Sequence, residues 1–101
     1  MKNFKNKVAA ITGAGSGIGQ QLGVFLAKQG CHLSLSDVNA QGLAQTVELL
    51  EKSNVRVTTQ KLDVADRDAM KLWAADTVQH HGSVNMIFNH AGVALGSTVE
   101  G

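Results

Sequence analysis

The chain has 101 residues, a formal net charge of +1 and 44% hydrophobic side chains, which leaves room for one domain at most. This balanced charge creates no long-range field that would attract nucleic acid, and no apolar run approaches the roughly 20 residues of a membrane-spanning helix. The basic start is followed by an apolar stretch that breaks at Thr12, so we predict no signal peptide. The single Cys31 favours a reducing, cytoplasmic setting.

Strand-length and helix-length segments alternate along the chain. The predicted strands occupy residues 7–12, 31–36, 55–62 and 84–89. The predicted helices cover 17–29, a segment that begins after a cap at Asn39, and a segment that begins after a cap at Asp66 and ends near Gly82. This β-α-β-α-β-α-β order predicts a parallel sheet with right-handed crossovers, with the first two helices on one face and the third on the other.

Apolar residues recur at helical spacing and predict one apolar face for each helix. These faces are Ile18, Leu22, Phe25 and Leu26 in the first helix, Leu43, Val47 and Leu50 in the second, and Ala69, Leu72, Trp73 and Val78 in the third. A single helix leaves part of the second sheet face bare, although parallel sheets need both faces covered. We therefore expect the isolated chain to be marginally stable or to self-associate.

Four glycines fall within residues 13–19, in the connection between the first strand and the first helix. A sharp turn, close approach to a pyrophosphate and tight packing of helix on strand all require small residues there. The N–H groups and dipole at the helix start favour phosphate oxygens, and the hydroxyls of Thr12 and Ser16 could add donors. Glycine-rich turns also occur without a ligand, but a strand before and a helix after this one favour dinucleotide binding. The candidate residues are Gly13, Ser16, Gly17, Ile18 and Gly19.

Asp37 ends the second predicted strand, 24 residues after Gly13. A carboxylate at this distance can accept hydrogen bonds from the adenosine ribose of NAD, and its charge would repel the 2′-phosphate of NADP. Its sequence neighbours include no cation. The alternative is that Asp37 only caps the following helix, but Asn39 is also available as a cap, so the ribose role is favoured.

These residues resemble the short-chain dehydrogenase/reductase family, and the resemblance runs from about residue 5 to the last residue. Residues 12–19 look like that family's Thr-Gly-x-x-x-Gly-x-Gly loop, and Asp37 matches its NAD-selecting acidic position. Asp63 and Val64 look like the Asp-Val step after the third strand, where the Asp side chain and the next backbone N–H meet the adenine ring.

A fourth motif, at residues 89–92, is similar to the family's Asn-Asn-Ala-Gly, with His90 in place of the second Asn. The resemblance implies that Asn89 steadies the sheet, and that Ala91 and Gly92 line the adenosine side of the cleft.

The resemblance implies a Rossmann-like doubly wound α/β fold, of which residues 1–101 would be the N-terminal, NAD-binding half of a domain cut at Gly101. It also implies an oxidoreductase that transfers hydride between the nicotinamide of NAD and a small alcohol or ketone substrate. For the complete protein, we expect a homo-oligomer with neither a nucleic acid nor a membrane partner.

The family's catalytic Tyr, with a Lys four residues later and a Ser, lies beyond the fourth strand and the helix after it. The chain contains no Tyr, so we expect no catalytic residue in it and no turnover by the 101 residues alone. An alternative function therefore stays open: a non-catalytic dinucleotide-binding module or a partner-dependent half-domain.

The remaining chemically versatile residues are interpreted as structural. The four histidines (His32, His80, His81 and His90) lie on different elements without metal-ligand spacing, so we predict no metal site. His80 and His81 fall at a helix end, where an imidazole favours the negative end of the dipole. Cys31 and Trp73 are predicted to be buried core residues.

Overall fold

A computed structural model of the chain describes residues 4–89, which form a four-stranded parallel sheet with helices on both faces. The elements are β1 (Val8–Thr12), α1 (Gly17–Lys28), β2 (His32–Asp37), α2 (Ala40–Leu49), β3 (Val57–Lys61), α3 (Arg67–His81) and β4 (Met86–Asn89). The strand order is β3-β2-β1-β4, and all pairs are parallel. The predicted Rossmann-like α/β fold is thus confirmed, with element boundaries that shift by at most two residues.

The larger hydrophobic core lies between the sheet and the pair of helices α1 and α2. Its buried residues are Ala9, Ile11, Ala14, Leu26, Ala27, Cys31, Leu33, Leu35, Leu43 and Leu50. Because side chains alternate along a strand, Ala10 faces the opposite side and packs with Leu62 and Trp73 in a smaller core beneath α3. This arrangement agrees with the predicted placement of the helices and buries both Cys31 and Trp73.

Small residues form most of the buried face of α1. Gly19, Gly23, Leu26 and Ala27 are buried there, whereas Ile18 and Phe25 are 72% and 52% exposed. Of the predicted apolar face of this helix, Leu22 and Leu26 therefore pack against the core, whereas the prediction was wrong for Ile18 and Phe25. Hydrophobic periodicity weights large side chains, so it does not register glycines that bring a helix backbone close to a sheet.

Hydroxyl groups connect α3 to the sheet. Ser34 Oγ and Thr77 Oγ1 lie 2.6 Å apart, and the Thr77 hydroxyl also lies 2.8 Å from the carbonyl oxygen of Trp73, to which it donates. Near the end of α3, Nε2 of His81 lies 2.9 Å from Oγ1 of Thr58. The attachment of α3 thus combines one large apolar side chain, Trp73, with directional polar contacts.

Apolar side chains stay exposed on and beside α3. Leu72 and Val78 point to solvent, so the predicted inward stripe of this helix was wrong at both positions. Ile87 on β4 is 64% exposed and pairs in register with Ala10, which places it on the same sheet face as α3. Because β4 is an edge strand, this part of the sheet face is open within residues 4–89.

We predict that the 101-residue chain associates with itself through this open face, or is only marginally stable, because exposed apolar area on a sheet edge favours intermolecular burial. Sedimentation velocity at increasing concentration should show self-association that Ile87→Ser reduces. Leu49→Ser is the matched control, since Leu49 is 58% exposed on α2, away from this face. A monomer that unfolds sharply and cooperatively would contradict this prediction.

His81 is a buried imidazole at the C-terminal end of α3, with Gly82 as the C-cap. Burial lowers its pKa, and the positive charges of Arg56, His32 and His80 lower it further. Its Nδ1 has no hydrogen-bond partner among the described residues. Since the folded-state pKa lies below the ordinary value of about 6.5, the unfolded chain takes up the proton first as the pH falls.

We therefore predict that the titration of His81 does not affect the free energy of unfolding above neutral pH. Below about pH 6.5, this titration should lower the free energy of unfolding. The variant His81→Gln keeps a polar partner for Thr58 but does not titrate, so its stability should fall less between about pH 7.5 and pH 5.5. Urea titrations of both proteins across this range measure the difference. Parallel pH profiles for the two proteins would refute the assignment.

Candidate functional site

A cleft of about 590 Å³ opens at the carboxyl edge of the sheet. Three connections line it, and the lining residues are Gly13, Ser16, Gly17, Ile18, Gly19, Asp37, Val38, Leu62, Asp63 and Val64. The strand order reverses at β1, between β2 on one side and β4 on the other. This edge is where open α/β sheets bind their ligands. The structure thus brings together the predicted site residues of the first three motifs.

The glycine loop has a backbone that other residues adopt only with strain. Gly13 and Gly17 have φ angles of 66° and 56°, in the left-handed region that favours glycine. A Cβ on Gly19 would collide with the carbonyl oxygen of Gly13, which is backbone and has no room to move aside. Glycine at these positions therefore allows α1 to approach the end of β1 closely.

The start of α1 presents backbone donors to the cleft. Ser16 is the N-cap, with an extended backbone, and its side chain forms no capping hydrogen bond within the described residues. The first N–H groups of a helix have no partner inside the helix, and here they belong to residues 17–19 on the cleft wall. No acidic residue occupies the first turn. This end of the helix is therefore suited to bind an anion.

Asp37 both lines the cleft and anchors the glycine loop. Its Oδ2 accepts a hydrogen bond from the backbone N–H of Gly15 at 2.8 Å, and its Oδ1 accepts one from Asn39 N–H at 3.0 Å. The N-cap of α2 is Asn39, whose Oδ1 accepts a hydrogen bond from Gly42 N–H at 3.0 Å. Asp37 is therefore not the helix cap, which removes the alternative interpretation of this residue.

The hydroxyl of Thr12 does not face the glycine loop. Thr12 is fully buried, and its Oγ1 donates to Oδ1 of Asn89 at 2.7 Å, because the two residues are paired in the register of β1 and β4. The expectation that Thr12 adds a phosphate donor was therefore wrong. Asn89 connects the two strands and is not among the cleft-lining residues, and Ala91, Gly92 and His90 lie outside the described residues.

The connection after β3 supplies the remaining wall. Oδ1 of Asp63 accepts a hydrogen bond from Ala65 N–H at 2.9 Å, which fixes the turn, while Asp66 caps α3 through Ala69 N–H at 3.0 Å. Val64 is half-buried against the smaller core. The predicted pair Asp63 and Val64 therefore lies on a turn that is tied down at both ends.

Two cleft residues, Val38 and Leu62, were not predicted. Both flank an acidic residue at the carboxyl end of a strand, and this position was the available signal. Among the described residues that line the cleft there are two carboxylates, Asp37 and Asp63, and no Lys, Arg or His. The charged side chains in the described lining of the cleft are therefore all acidic.

Other candidate chemistry is not assembled in the described part of the chain. Residues 4–89 contain no group of three or more His, Cys, Asp or Glu side chains that could hold a metal ion. Burial raises the pKa of the Cys31 thiol to about 11, so it is a neutral core group. None of the helices in this range combines the length and apolar character needed to cross a bilayer.

Comparison with known proteins identifies the family. A family model described as short chain dehydrogenase matches residues 7–100. The chain therefore belongs to the short chain dehydrogenase family. This confirms the resemblance that the glycine loop, Asp37 and the two later motifs indicate.

Curated relatives are oxidoreductases by name. The chain is 44% identical over 100 residues to SadH from Mycobacterium tuberculosis, named as an oxidoreductase, and this match covers 99% of the chain and 36% of the relative. It is 37% identical over 92 residues to levodione reductase from Leifsonia aquatica, covering 89% of the chain and 34% of the relative. The chain thus spans about a third of the length of these curated relatives.

Solved structures share the fold. A short chain dehydrogenase from Mycobacterium paratuberculosis bound to NAD superposes with a TM-score of 0.85 at 28% identity, over 92% of the chain and 39% of that protein. A short chain dehydrogenase/reductase from Burkholderia phymatum in complex with NAD gives a TM-score of 0.82 at 35% identity, over 87% and 31%. Both solved proteins hold NAD.

We predict that Gly19→Ala lowers the free energy of unfolding by about 1–3 kcal/mol, because its Cβ forces the loop and α1 apart. Gly23→Ala is the matched control in the same helix. Its Cβ would lie 3.9 Å from Ile11, Leu33 and Leu35, an ordinary contact, and alanine favours the helix by about 1 kcal/mol. Thermal unfolding followed by circular dichroism compares them. Equal unfolding temperatures for the two variants would contradict the close-packing argument.

Proposed function

We propose that residues 1–101 are the NAD-binding part of an NAD-dependent oxidoreductase that transfers hydride between the nicotinamide and a small alcohol or ketone. The observation that carries this proposal is the shared cleft of the glycine loop and the Asp37 carboxylate. Membership of the short chain dehydrogenase family and the NAD bound to two similar structures support it.

In this proposal, the helix start holds the pyrophosphate. The backbone N–H groups of Gly17, Ile18 and Gly19 and the hydroxyl of Ser16 donate to phosphate oxygens, assisted by the dipole of α1. Gly13 provides the turn that lets the cofactor approach the backbone. The fit is supported by the close approach of α1 to the loop, which a Cβ on Gly19 would prevent by colliding with the carbonyl oxygen of Gly13.

Asp37 selects NAD over NADP in this proposal. Its carboxylate accepts hydrogen bonds from the adenosine ribose hydroxyls, and a 2′-phosphate at the same place would meet a negative charge in a cleft whose described lining has no cation. Asp63 and Val64 contact the adenine from the β3 side. Asn89 would steady the sheet behind the site through its hydrogen bond with Thr12, and Ala91 and Gly92 would complete the adenosine side.

The hydride chemistry is supplied by NAD when it is bound, and the chain's own residues bind and orient it. Since the sequence contains no Tyr, we propose that the 101 residues alone do not turn over a substrate. The acid/base group would then come from further polypeptide, in a homo-oligomeric cytoplasmic enzyme. The absence of Tyr equally motivates the second candidate, a dinucleotide-binding module without catalysis or a half-domain that needs a partner.

We predict that the chain binds NAD more tightly than NADP. Asp37→Asn should lower the affinity for NAD about tenfold and should reduce the ratio of NAD affinity to NADP affinity. Asparagine keeps an acceptor oxygen for Gly15 N–H but removes the charge. Asp37→Ala should weaken the binding of both cofactors, because it also removes the hydrogen bond that holds Gly15 N–H in the glycine loop. Isothermal titration calorimetry measures all six affinities, with circular dichroism as the check of folding.

The wild-type titration tests the proposed function itself: a folded chain that binds neither cofactor would overturn it. If NAD binds but the preference over NADP is the same in wild type and Asp37→Asn, the ribose role of Asp37 is refuted and the phosphate site stands.

A further inference from the structure

Thr46 is a fully buried residue of α2 that does not line the cleft. Its Oγ1 donates to the carbonyl oxygen of Ala14, in the glycine loop, at 2.7 Å. The same Oγ1 lies 3.1 Å from the carbonyl oxygen of Gly42, one helical turn earlier. A hydroxyl has one proton, and the shorter distance assigns it to the loop. Thr46 therefore links α2 to the loop.

Gln20 extends this link to α1. Its Nε2 donates to Oγ1 of Thr46 at 2.9 Å, and the same amide lies 3.4 Å from the carbonyl oxygen of Gly15. The amide, the hydroxyl and the loop carbonyl form a chain of hydrogen bonds in which each bond polarises the next. The first turn of α1, the middle of α2 and the loop are thus tied to one another.

The backbone of α2 also packs directly on the loop. A Cβ on Gly42 would lie 2.6 Å from the carbonyl oxygen of Gly15, a distance that real side chains do not tolerate. The loop is further attached to β2 by the N–H of Ala14, which donates to the carbonyl oxygen of Ser36 at 3.0 Å. These contacts leave α2 and β2 as the walls that shape the loop.

The peptide bond between Ala14 and Gly15 is consequently held at both of its polar ends. Its C=O accepts from Thr46, and its N–H donates to the Asp37 carboxylate. In a trans peptide these two groups point in opposite directions from one rigid plane. Fixing one end therefore orients the other, so the Thr46 hydroxyl influences where the carboxylate of Asp37 is held.

We infer that Thr46 is a positioning residue for dinucleotide binding: from outside the cleft, it fixes the peptide plane that joins the phosphate loop to the Asp37 carboxylate. This inference rests on the proposed function, because the ligand is the dinucleotide proposed there. Removal of the Thr46 hydroxyl allows the Ala14–Gly15 peptide plane to rotate. This rotation changes the direction of the N–H groups at the start of α1 and weakens the hold on the Asp37 carboxylate.

Thr46→Val removes the hydroxyl and keeps the shape, so NAD affinity in calorimetry should fall about tenfold, the effect of one net hydrogen bond. Thr46→Ser restores the hydroxyl and should bind within about threefold of wild type. Gln20→Met removes only the amide from a half-buried residue, which poses little risk to folding. It should weaken NAD binding by a smaller factor.

Thr77→Val is the matched structural control. Thr77 is a buried helical threonine like Thr46, and its hydroxyl lies 2.8 Å from the carbonyl oxygen four residues earlier, but it lies on α3, across the sheet from the loop. Its variant should lose thermal stability and keep the NAD affinity of wild type. The inference is overturned if Thr46→Val binds NAD as wild type does, or if Thr77→Val weakens binding equally.

Hydrogen exchange of the Gly15 amide in the free chain separates this inference from the proposed function. Thr46→Val should speed exchange at Gly15 about tenfold relative to wild type and to Thr77→Val. If wild type fails to bind NAD, the proposed function is refuted, and unchanged exchange at Gly15 in Thr46→Val would refute the positioning role on its own. If exchange rises but NAD binding does not change, the link to the ligand is refuted.

Discussion

The hydrogen bond between the Asp37 carboxylate and the N–H of Gly15 is the contact on which the site depends. It joins the end of β2 to the loop that follows β1, and these two strands are adjacent and parallel. A Cβ on Gly15 would lie 2.9 Å from Oδ2 of Asp37 and 3.1 Å from backbone atoms of Gly42 and Leu43, so this contact leaves little room for a side chain at position 15. The residue that faces the adenosine ribose in the proposed function therefore also shapes the phosphate loop.

The rest of the molecule supports this contact from both sides of the sheet. On one face, close packing of small residues brings α1 and α2 against the loop, and the Thr46 hydroxyl holds the opposite end of the same peptide plane. On the other face, α3 is attached by Trp73 and by a few polar pairs, among them the buried His81 with Thr58. The side of the fold that carries the loop is thus the better packed of the two.

Much of this arrangement could be predicted from the sequence because it depends on local and periodic features. Residues with special backbone requirements, such as the glycines of 13–19, and acidic residues at strand ends, such as Asp37 and Asp63, marked the cleft directly. The predicted role of the Thr12 hydroxyl as a phosphate donor was wrong. Its partner, Asn89, is set by the register of β1 against β4, which the local sequence around Thr12 does not reveal. The role of Thr46 was not predicted, because a threonine inside an amphipathic helix gives no sign of the carbonyl it meets 32 residues away.

The most direct test of the account is to map NAD onto the backbone by nuclear magnetic resonance. Amide chemical shifts of the 101-residue chain, recorded during an NAD titration, should change most at residues 13–19 and next at Asp37, Val38, Asp63 and Val64. They should change little at the opposite edge of the sheet, where Lys5, Lys28 and Lys52 line a second cleft of about 440 Å³. Shifts confined to that lysine-lined cleft, or none at all in a folded chain, would contradict it.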